Sequence, residues 1–197
     1  MSLNSLSKTI IPFVSIILII SSLFIPTIAN NSNIIITKPE ISGKLEIYNS
    51  SFCWPVPGYT RISSYFGKRN SPTAGASSFH QGIDIPAPSG TNLVAVFDGI
   101  VSFIGFNGSA GYSIHIKNNN LEFFYHHVSP NYIIKVDNYV YAGQVIGHVG
   151  PKNVYGVKNN PYKDTNGNPT NGATTGPHLH FTIKKDGKAV NPLNYYS

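Results

Sequence analysis

Turn-forming residues interrupt the apolar runs of this chain at short intervals, and this limits the folds that it can adopt. Beyond Cys53, runs of β-branched and aromatic residues alternate with Gly, Pro, Asn and Asp, and no stretch keeps an i, i+3, i+4, i+7 apolar face long enough for a helix. The chain holds 18 glycines, 14 prolines, 12 tyrosines and 11 phenylalanines, a mixture suited to many short strands. We predict a mostly β fold, a single antiparallel sheet or sandwich-like domain with few helices.

Three turn signals predict hairpins within this domain. Each lies between two runs of strand-forming residues, and the signals are Asp98-Gly99, Asn118 to Asn120, and Asp186-Gly187. Because a short hairpin joins strands that run in opposite directions, we expect the sheet to be antiparallel.

A long segment without strand-forming character runs from Lys152 to Ala173. Asn, Gly, Pro, Lys and Thr dominate it, a composition typical of loops. Loops of this length are uncommon in a compact domain unless they have a function. We therefore predict that residues 152–173 form a wall or a lid of a cleft.

The N-terminal part of the chain has the composition of an export signal. Thr9 to Ile25 is almost wholly apolar, and the small residues from Thr27 to Ala29 resemble a cleavage site. We expect residues 1–29 to be a signal peptide, with an uncleaved membrane anchor as the alternative because the run approaches the length of a membrane span. Residues 30–52 are polar and suit a tether, and residues 53–197 should form the folded domain. The protein is thus expected to be exported, and then secreted, wall-associated or anchored by this segment.

Charge and cysteine content argue against several classes of protein. The formal net charge is +6, but the Lys and Arg residues are scattered, which disfavours binding of nucleic acid. Weak attraction to anionic wall polymers suits such a charge better. Cys53 is the only cysteine, so an intrachain disulfide is excluded. We expect a monomer whose membrane association depends on the N-terminal segment alone.

His80 and Asp84, four residues apart, form the first candidate pair of metal ligands. On an extended chain, residues i and i+4 point to the same face. An imidazole nitrogen and a carboxylate suit a dication such as zinc, and Gly82 between them lets the backbone pass close to the metal. Taken alone, this spacing more often marks a surface or hydrogen-bonded pair.

His178 and His180 form a second pair, and their i, i+2 spacing on a strand puts both side chains on one side. A His-x-His pair that leads into an apolar strand is a common metal-binding device, although one member can act as a base instead. The alternative is a pair of packed or capping histidines.

A third strand ends in two adjacent histidines, His126 and His127, which should point to opposite faces. Tyr125 and His127 share a face in this pattern. If Tyr125 lines the cleft, His127 does so too, and His126 is left to pack or to meet solvent.

These segments together resemble the lysostaphin-type zinc endopeptidases that cleave peptidoglycan, which have LytM-like domains. The motifs of the resemblance are His80 to Asp84, Tyr125 to Ser129, and Gly176 to Phe181, with further similarity at Ser64 to Arg69 and Val140 to Gly147. The resemblance covers about residues 54 to 194. It implies an antiparallel β domain of the duplicated-hybrid-motif kind.

The same resemblance implies one zinc ion per domain, held by His80, Asp84 and His180. It also implies that His127 and His178 are a catalytic pair beside a metal-bound water, with His126 as the fallback if the register slips. The expected partners are peptides of bacterial peptidoglycan. Two cross-links fit, one between meso-diaminopimelate and D-Ala and one within a glycine bridge, and we favour the first.

A catalytically inactive wall-binding or amidase-activating module on the same fold is the main alternative, because a fold does not by itself imply chemistry. Such modules typically lack one or more metal ligands. All five site residues are present here, which favours the hydrolase.

Overall fold

The computed structural model of the protein describes residues 52–196. The predicted export segment, residues 1–29, and all of the predicted tether except Phe52 therefore lie outside the described residues. Within residues 52–196, no helix has the length and apolar character that crossing a membrane requires.

The described residues form short strands joined by turns. The strands are β1 (Gly67–Lys68), β2 (Phe79–His80), β3 (Ile83–Pro86), β4 (Asn92–Val94), β5 (Gly99–Phe106), β6 (Tyr112–Asn118), β7 (Leu121–His126), β8 (Tyr139–Val140), β9 (Val145–His148), β10 (His178–Lys185) and β11 (Lys188–Val190). Helical structure in this range is limited to two 3-10 segments, Gly108–Ala110 and Pro192–Tyr195. The prediction of a mostly β fold with few helices is confirmed.

One antiparallel sheet dominates the fold. Its strand order is β11-β10-β7-β6-β5-β8, and β3 also pairs with β10. Two small antiparallel pairs, β1–β2 and β4–β9, lie outside this sheet. The predicted antiparallel framework is confirmed.

The central strands are apolar on one face and mostly polar on the other. The fully buried residues of the apolar face are Ile83, Ile85, Ile114, Ile116, Phe123, Tyr125, Leu179, Phe181 and Ile183. The alternate positions form the opposite face, here named the polar face, and hold Asp84, Ser113, His115, Lys117, Glu122, Phe124, His126, His180, Thr182 and Lys184. An antiparallel sheet that covers a core with one face allows this alternation.

Two of the three predicted hairpins are confirmed. β6 and β7 pair across Asn119, which has a φ of 50°. β10 and β11 pair across Asp186 and Gly187, whose φ values are 51° and 74°. Asn, Asp and Gly adopt this left-handed conformation most readily, and tight hairpin turns need it.

The hairpin predicted at Asp98-Gly99 is wrong. β4 pairs with β9, and β5 pairs with β6 and β8. Neither Asp98 nor Gly99 has the positive φ of a tight hairpin turn. Asp98 instead bridges to another part of the chain, because its Oδ1 accepts a hydrogen bond of 2.7 Å from the backbone N–H of Ala142.

The segment from 152 to 173 is irregular and folds back on itself. Isolated bridges join Asn153 to Thr170 and Lys163 to Pro169. Lys152 Nζ lies 3.2 Å from Asp164 Oδ2, so the beginning of the loop is tied to its middle. These contacts give the loop a defined conformation, and it ends shortly before β10, which begins at His178.

Candidate metal centre

Three side chains from β2, β3 and β10 converge at one point. His80 Nε2 lies 3.1 Å from Asp84 Oδ1 and 2.8 Å from His180 Nδ1, and His180 Nδ1 lies 2.8 Å from Asp84 Oδ1. Asp84 and His180 meet because they are opposite each other in the β3–β10 ladder. Each of the three residues thus offers one donor atom to a common centre.

In both imidazoles, the nitrogen that points away from this centre has a hydrogen-bond partner. His80 Nδ1 lies 2.9 Å from the carbonyl oxygen of Tyr65, which can only accept, so Nδ1 donates there and Nε2 is the nitrogen left for the centre. His180 Nε2 lies 3.1 Å from Thr182 Oγ1. Partners of this kind orient metal-binding imidazoles and select their tautomer.

Asp84 is held in place by Arg69. Arg69 Nη1 donates to Asp84 Oδ2 at 3.0 Å, which leaves Oδ1 for the centre. Burial raises the pKa of Asp84, but the hydrogen bonds with His180 and His80 outweigh burial and hold the pKa of the carboxyl well below its usual range. Asp84 is therefore a carboxylate at neutral pH.

The donor set fits a zinc ion. His80 Nε2, His180 Nδ1 and Asp84 Oδ1 lie within 3.1 Å of one another, close enough for one cation to bind all three. Two imidazole nitrogens and one carboxylate oxygen leave a tetrahedral ion one open position, which is typical of catalytic rather than structural zinc sites.

Gly82 allows the His80–Asp84 segment to lie close to β10. A Cβ added at Gly82 would overlap the carbonyl oxygen of Phe181 and lie 2.6 Å from Thr182 Oγ1. Any side chain at this position would therefore push β3 away from the strand that carries His180.

His127 reaches the cleft through an unusual backbone conformation. Its φ is 59°, a left-handed value that is uncommon outside glycine and is concentrated at functional sites. Tyr125 is fully buried in the core, where its hydroxyl accepts a hydrogen bond of 2.8 Å from the N–H of Val96. Tyr125 does not line the cleft, so the condition under which the strand pattern placed His127 there is not met, and His127 reaches the cleft by its own backbone conformation.

Asn171, near the end of the long loop, fixes the orientation of His127. Its carbonyl oxygen accepts a hydrogen bond of 2.7 Å from His127 Nδ1. Its side chain is fully buried, where Oδ1 accepts from the N–H of Tyr112 at 2.7 Å and Nδ2 donates to the carbonyl oxygen of Val128 at 3.0 Å. The sequence reasoning missed Asn171, because its only local signal is its position shortly before the Gly176–Phe181 motif.

His127 and His178 face each other beside the centre, with ring centroids 4.7 Å apart. Burial, and then the neighbouring His178, lowers the pKa of His127 to about 3, so its ring is neutral at pH 7. His178 Nδ1 lies 2.8 Å from the carbonyl oxygen of Gly176, and its Nε2 lies 3.6 Å from Asp84 Oδ1. Each ring therefore commits Nδ1–H to a backbone carbonyl, and Nε2 is its remaining nitrogen.

His126 also lines the cleft, whereas the strand pattern left it to pack or to meet solvent if Tyr125 lined the cleft. It lies opposite His180 in the β7–β10 ladder and lines the cleft, and the two rings stack with centroids 5.4 Å apart. His126 Nδ1 lies 2.9 Å from Ser113 Oγ, whose hydroxyl donates to the carbonyl oxygen of Gly111. Both adjacent histidines reach the cleft because His127 breaks the strand alternation.

The cleft has two halves that meet at the centre. One half, here named the Lys184 half, is lined by Phe79, Gln81, Phe124, Thr182 and Lys184. The other, here named the Pro177 half, is lined by Ser63, Asn70, Pro72, Thr175 and Pro177. Arg69, His127, Ala173 and His180 line both, so the last residue of the 152–173 loop contributes to the cleft.

Residues 78–192 match Peptidase family M23. The chain belongs to this family. The match contains the three candidate ligands and the pair His127 and His178, and it confirms the resemblance to lysostaphin-type, LytM-like domains.

Relatives of this M23 chain include a carboxypeptidase/endopeptidase and a murein hydrolase activator. The "DD-carboxypeptidase/endopeptidase Mpg" of Neisseria meningitidis serogroup B is 36% identical over 137 residues, which are 69% of this chain and 27% of that protein. The "Murein hydrolase activator NlpD" of Salmonella typhimurium is 28% identical over 148 residues, 74% of this chain and 31% of that protein. The chain thus spans about a quarter to a third of the length of these relatives.

Two solved structures share the fold of this M23 chain. A "zinc containing peptidase" from Vibrio cholerae has a TM-score of 0.56 and 27% identity, covering 72% of this chain and 39% of that one. The catalytic domain of the antimicrobial peptidase lysostaphin from Staphylococcus simulans has a TM-score of 0.54 and 26% identity, covering 71% of this chain and 93% of that one. The lysostaphin-type fold predicted from the sequence is confirmed.

Proposed function

We propose that this M23 chain is a zinc-dependent endopeptidase that hydrolyses peptide cross-links of bacterial peptidoglycan. The observation that carries the proposal is the convergence of His80 Nε2, Asp84 Oδ1 and His180 Nδ1, three donor atoms within 3.1 Å of one another. The peptidase names of the relatives support the reaction class. These three residues would hold one zinc ion.

A zinc ion, when bound, supplies a Lewis acid that polarises the scissile carbonyl and lowers the pKa of a nearby water. The other roles fall to side chains of this chain. His127 and His178 each bond Nδ1 to a backbone carbonyl, which leaves Nε2 as the nitrogen through which one of them can accept the proton of the attacking water. The histidine that takes up this proton can then pass it to the leaving amine, so that no proton is gained or lost in the step.

A peptide of the wall as substrate is supported by the names of two relatives, a DD-carboxypeptidase/endopeptidase and a murein hydrolase activator. The cleft extends on both sides of the centre, which suits an extended peptide that continues past the scissile bond. Peptidoglycan lies outside the cytoplasm, so the proposal includes export by residues 1–29. Mass spectrometry of the N-terminus of the protein from its native cells tests that part.

The rival function is that of an activator without peptidase activity, as the name of the relative NlpD suggests. Two observations favour catalysis. Both Nδ1–H groups of His127 and His178 donate to backbone carbonyls, and the backbone at His127 has a left-handed φ of 59°. This arrangement keeps two proton acceptors at the centre and is not needed for binding alone.

Incubation of the purified chain with purified peptidoglycan tests the proposal. We expect new amino groups to appear, to be lost on treatment with a chelator and to return when zinc is added. The Asp84→Asn variant, which removes a charged ligand, should release none. If the zinc-loaded wild-type chain releases no amino groups, the endopeptidase proposal is wrong and the activator function is favoured.

A further inference from the structure

The polar face of the sheet continues beyond the metal centre in two further rows of side chains. Across β10, β7 and β6, one row holds Thr182, Phe124 and His115. The next holds Lys184, Glu122 and Lys117. Side chains two residues apart on a strand are about 7 Å apart, so the third row lies about 14 Å from the row of His180.

The row of Lys184, Glu122 and Lys117 has one positive charge in excess. Glu122 Oε2 forms an ion pair with Lys117 Nζ at 3.3 Å. Lys184 is the cross-strand neighbour of Glu122 on β10 but does not form this pair. Lys184 Nζ instead lies 4.7 Å from the centroid of the Phe124 ring, one row closer to the metal centre. No ion pair within 4.0 Å joins Lys184 to a carboxylate among residues 52–196.

Lys184 supplies the uncompensated charge in its half of the cleft. Apart from the histidines, the only other charged side chain that lines this half in the described part of the chain is Arg69, which is already bound to Asp84. The remaining polar groups, such as those of Ser77, Gln81 and Asn107, are neutral hydrogen-bonding groups. This half of the cleft therefore favours a substrate that carries a negative charge.

We propose that Lys184 binds a carboxylate of the substrate peptide. The proposal rests on the proposed function and gives its substrate class: an acidic stem peptide rather than a neutral glycine bridge. Because Nζ lies over Phe124, its charge is about 7 Å from the row of His180. An extended peptide rises about 3.3 Å per residue, so the carboxylate would belong to a residue about two positions from the scissile bond.

The test compares two synthetic cross-linked peptides that differ only in their stem carboxylates, free in one and amidated in the other. For the zinc-loaded full chain, Lys184→Gln should raise KM for the free-carboxylate peptide about five- to tenfold, as expected for a half-buried charge pair, and change kcat less than about twofold. KM for the amidated peptide should stay within about twofold. Lys184→Arg keeps the charge and should recover most of the affinity.

Lys185 provides the matched control. It is the next residue on β10, points to the opposite face and is exposed, so Lys185→Gln should leave both KM values unchanged. An unchanged KM in Lys184→Gln, or an equal rise for both peptides, would overturn the carboxylate site while leaving the endopeptidase proposal intact. If the wild-type chain cleaves neither peptide, the endopeptidase proposal is wrong, and calorimetric binding of the uncleaved peptides to wild type and Lys184→Gln decides the carboxylate site alone.

Discussion

Replacement of Asn171 by alanine should lower both the stability and the turnover of the protein. The Asn171 side chain is fully buried and bridges the N–H of Tyr112, at 2.7 Å, and the carbonyl oxygen of Val128, at 3.0 Å. Asn171→Ala leaves both backbone groups without these partners. A buried polar group without a partner costs about 1–3 kcal/mol, so for the two groups we expect a loss of about 2–6 kcal/mol in the free energy of unfolding.

The effect on turnover follows from the contact with His127. The carbonyl oxygen of Asn171 holds His127 Nδ1 at 2.7 Å, and the side-chain bridge fixes the position of that carbonyl. Partners that orient site residues in this way typically contribute 10- to 100-fold to activity. We therefore expect kcat on peptidoglycan peptides to fall about 10- to 100-fold with little change in KM.

Urea unfolding followed by tryptophan fluorescence gives the stability, and release of amino groups from a peptide cross-link gives kcat. The matched control is Asn166→Ala in the same loop, because Asn166 is exposed and its backbone N–H, not its side chain, donates to Asp164 Oδ1. Asn166→Ala should change neither quantity appreciably. If Asn171→Ala remains within about 0.5 kcal/mol and twofold of wild type, the bridge does not hold His127.

Three further sets of substitutions test other parts of the structure. His127→Ala and His178→Ala should each lower kcat by about 10²–10⁴ and His126→Ala by less than about tenfold, with zinc content unchanged; equal losses at His126 and His127 would contradict their assignment. Gly82→Ala should destabilise the fold by more than about 3 kcal/mol in urea unfolding, because its Cβ would overlap the Phe181 carbonyl, whereas Gly176→Ala, with nothing within 4 Å of the new Cβ, should cost less than about 1 kcal/mol. Burial lowers the pKa of His115 to about 4, whereas the unfolded chain has about 6.5. Protons then bind preferentially to the unfolded chain between these values, so His115 contributes stability above pH 6.5 that is lost as the pH falls towards 4, about 1–2 kcal/mol after allowance for its partial exposure. His115→Phe should flatten the dependence of Tm on pH in this window, and an unchanged slope would refute that contribution.

The sequence determined the features that depend on local chemistry. Frequent turn residues and short β-branched runs fixed a mostly β chain, since such runs cannot form long helices. The strand period of two put His178 and His180 on one side, and the structure has both at the cleft. The same rule placed Asp84 and the side chains of Ile83 and Ile85 on opposite faces of β3.

Only the tertiary structure decided how these local pieces are paired. Asp98-Gly99 has the residues of a hairpin, but the strands on its two sides find other partners because a turn motif has no control over long-range pairing. The backbone of His127 is left-handed and not extended, so the alternation of side chains counted from Tyr125 could not predict where His127 points. Asn171 reaches His127 across 44 residues of sequence, and Lys184 is left without a carboxylate because Glu122 pairs with Lys117 instead. In each case competing contacts are possible, and the packing of distant strands against each other decides which contact forms.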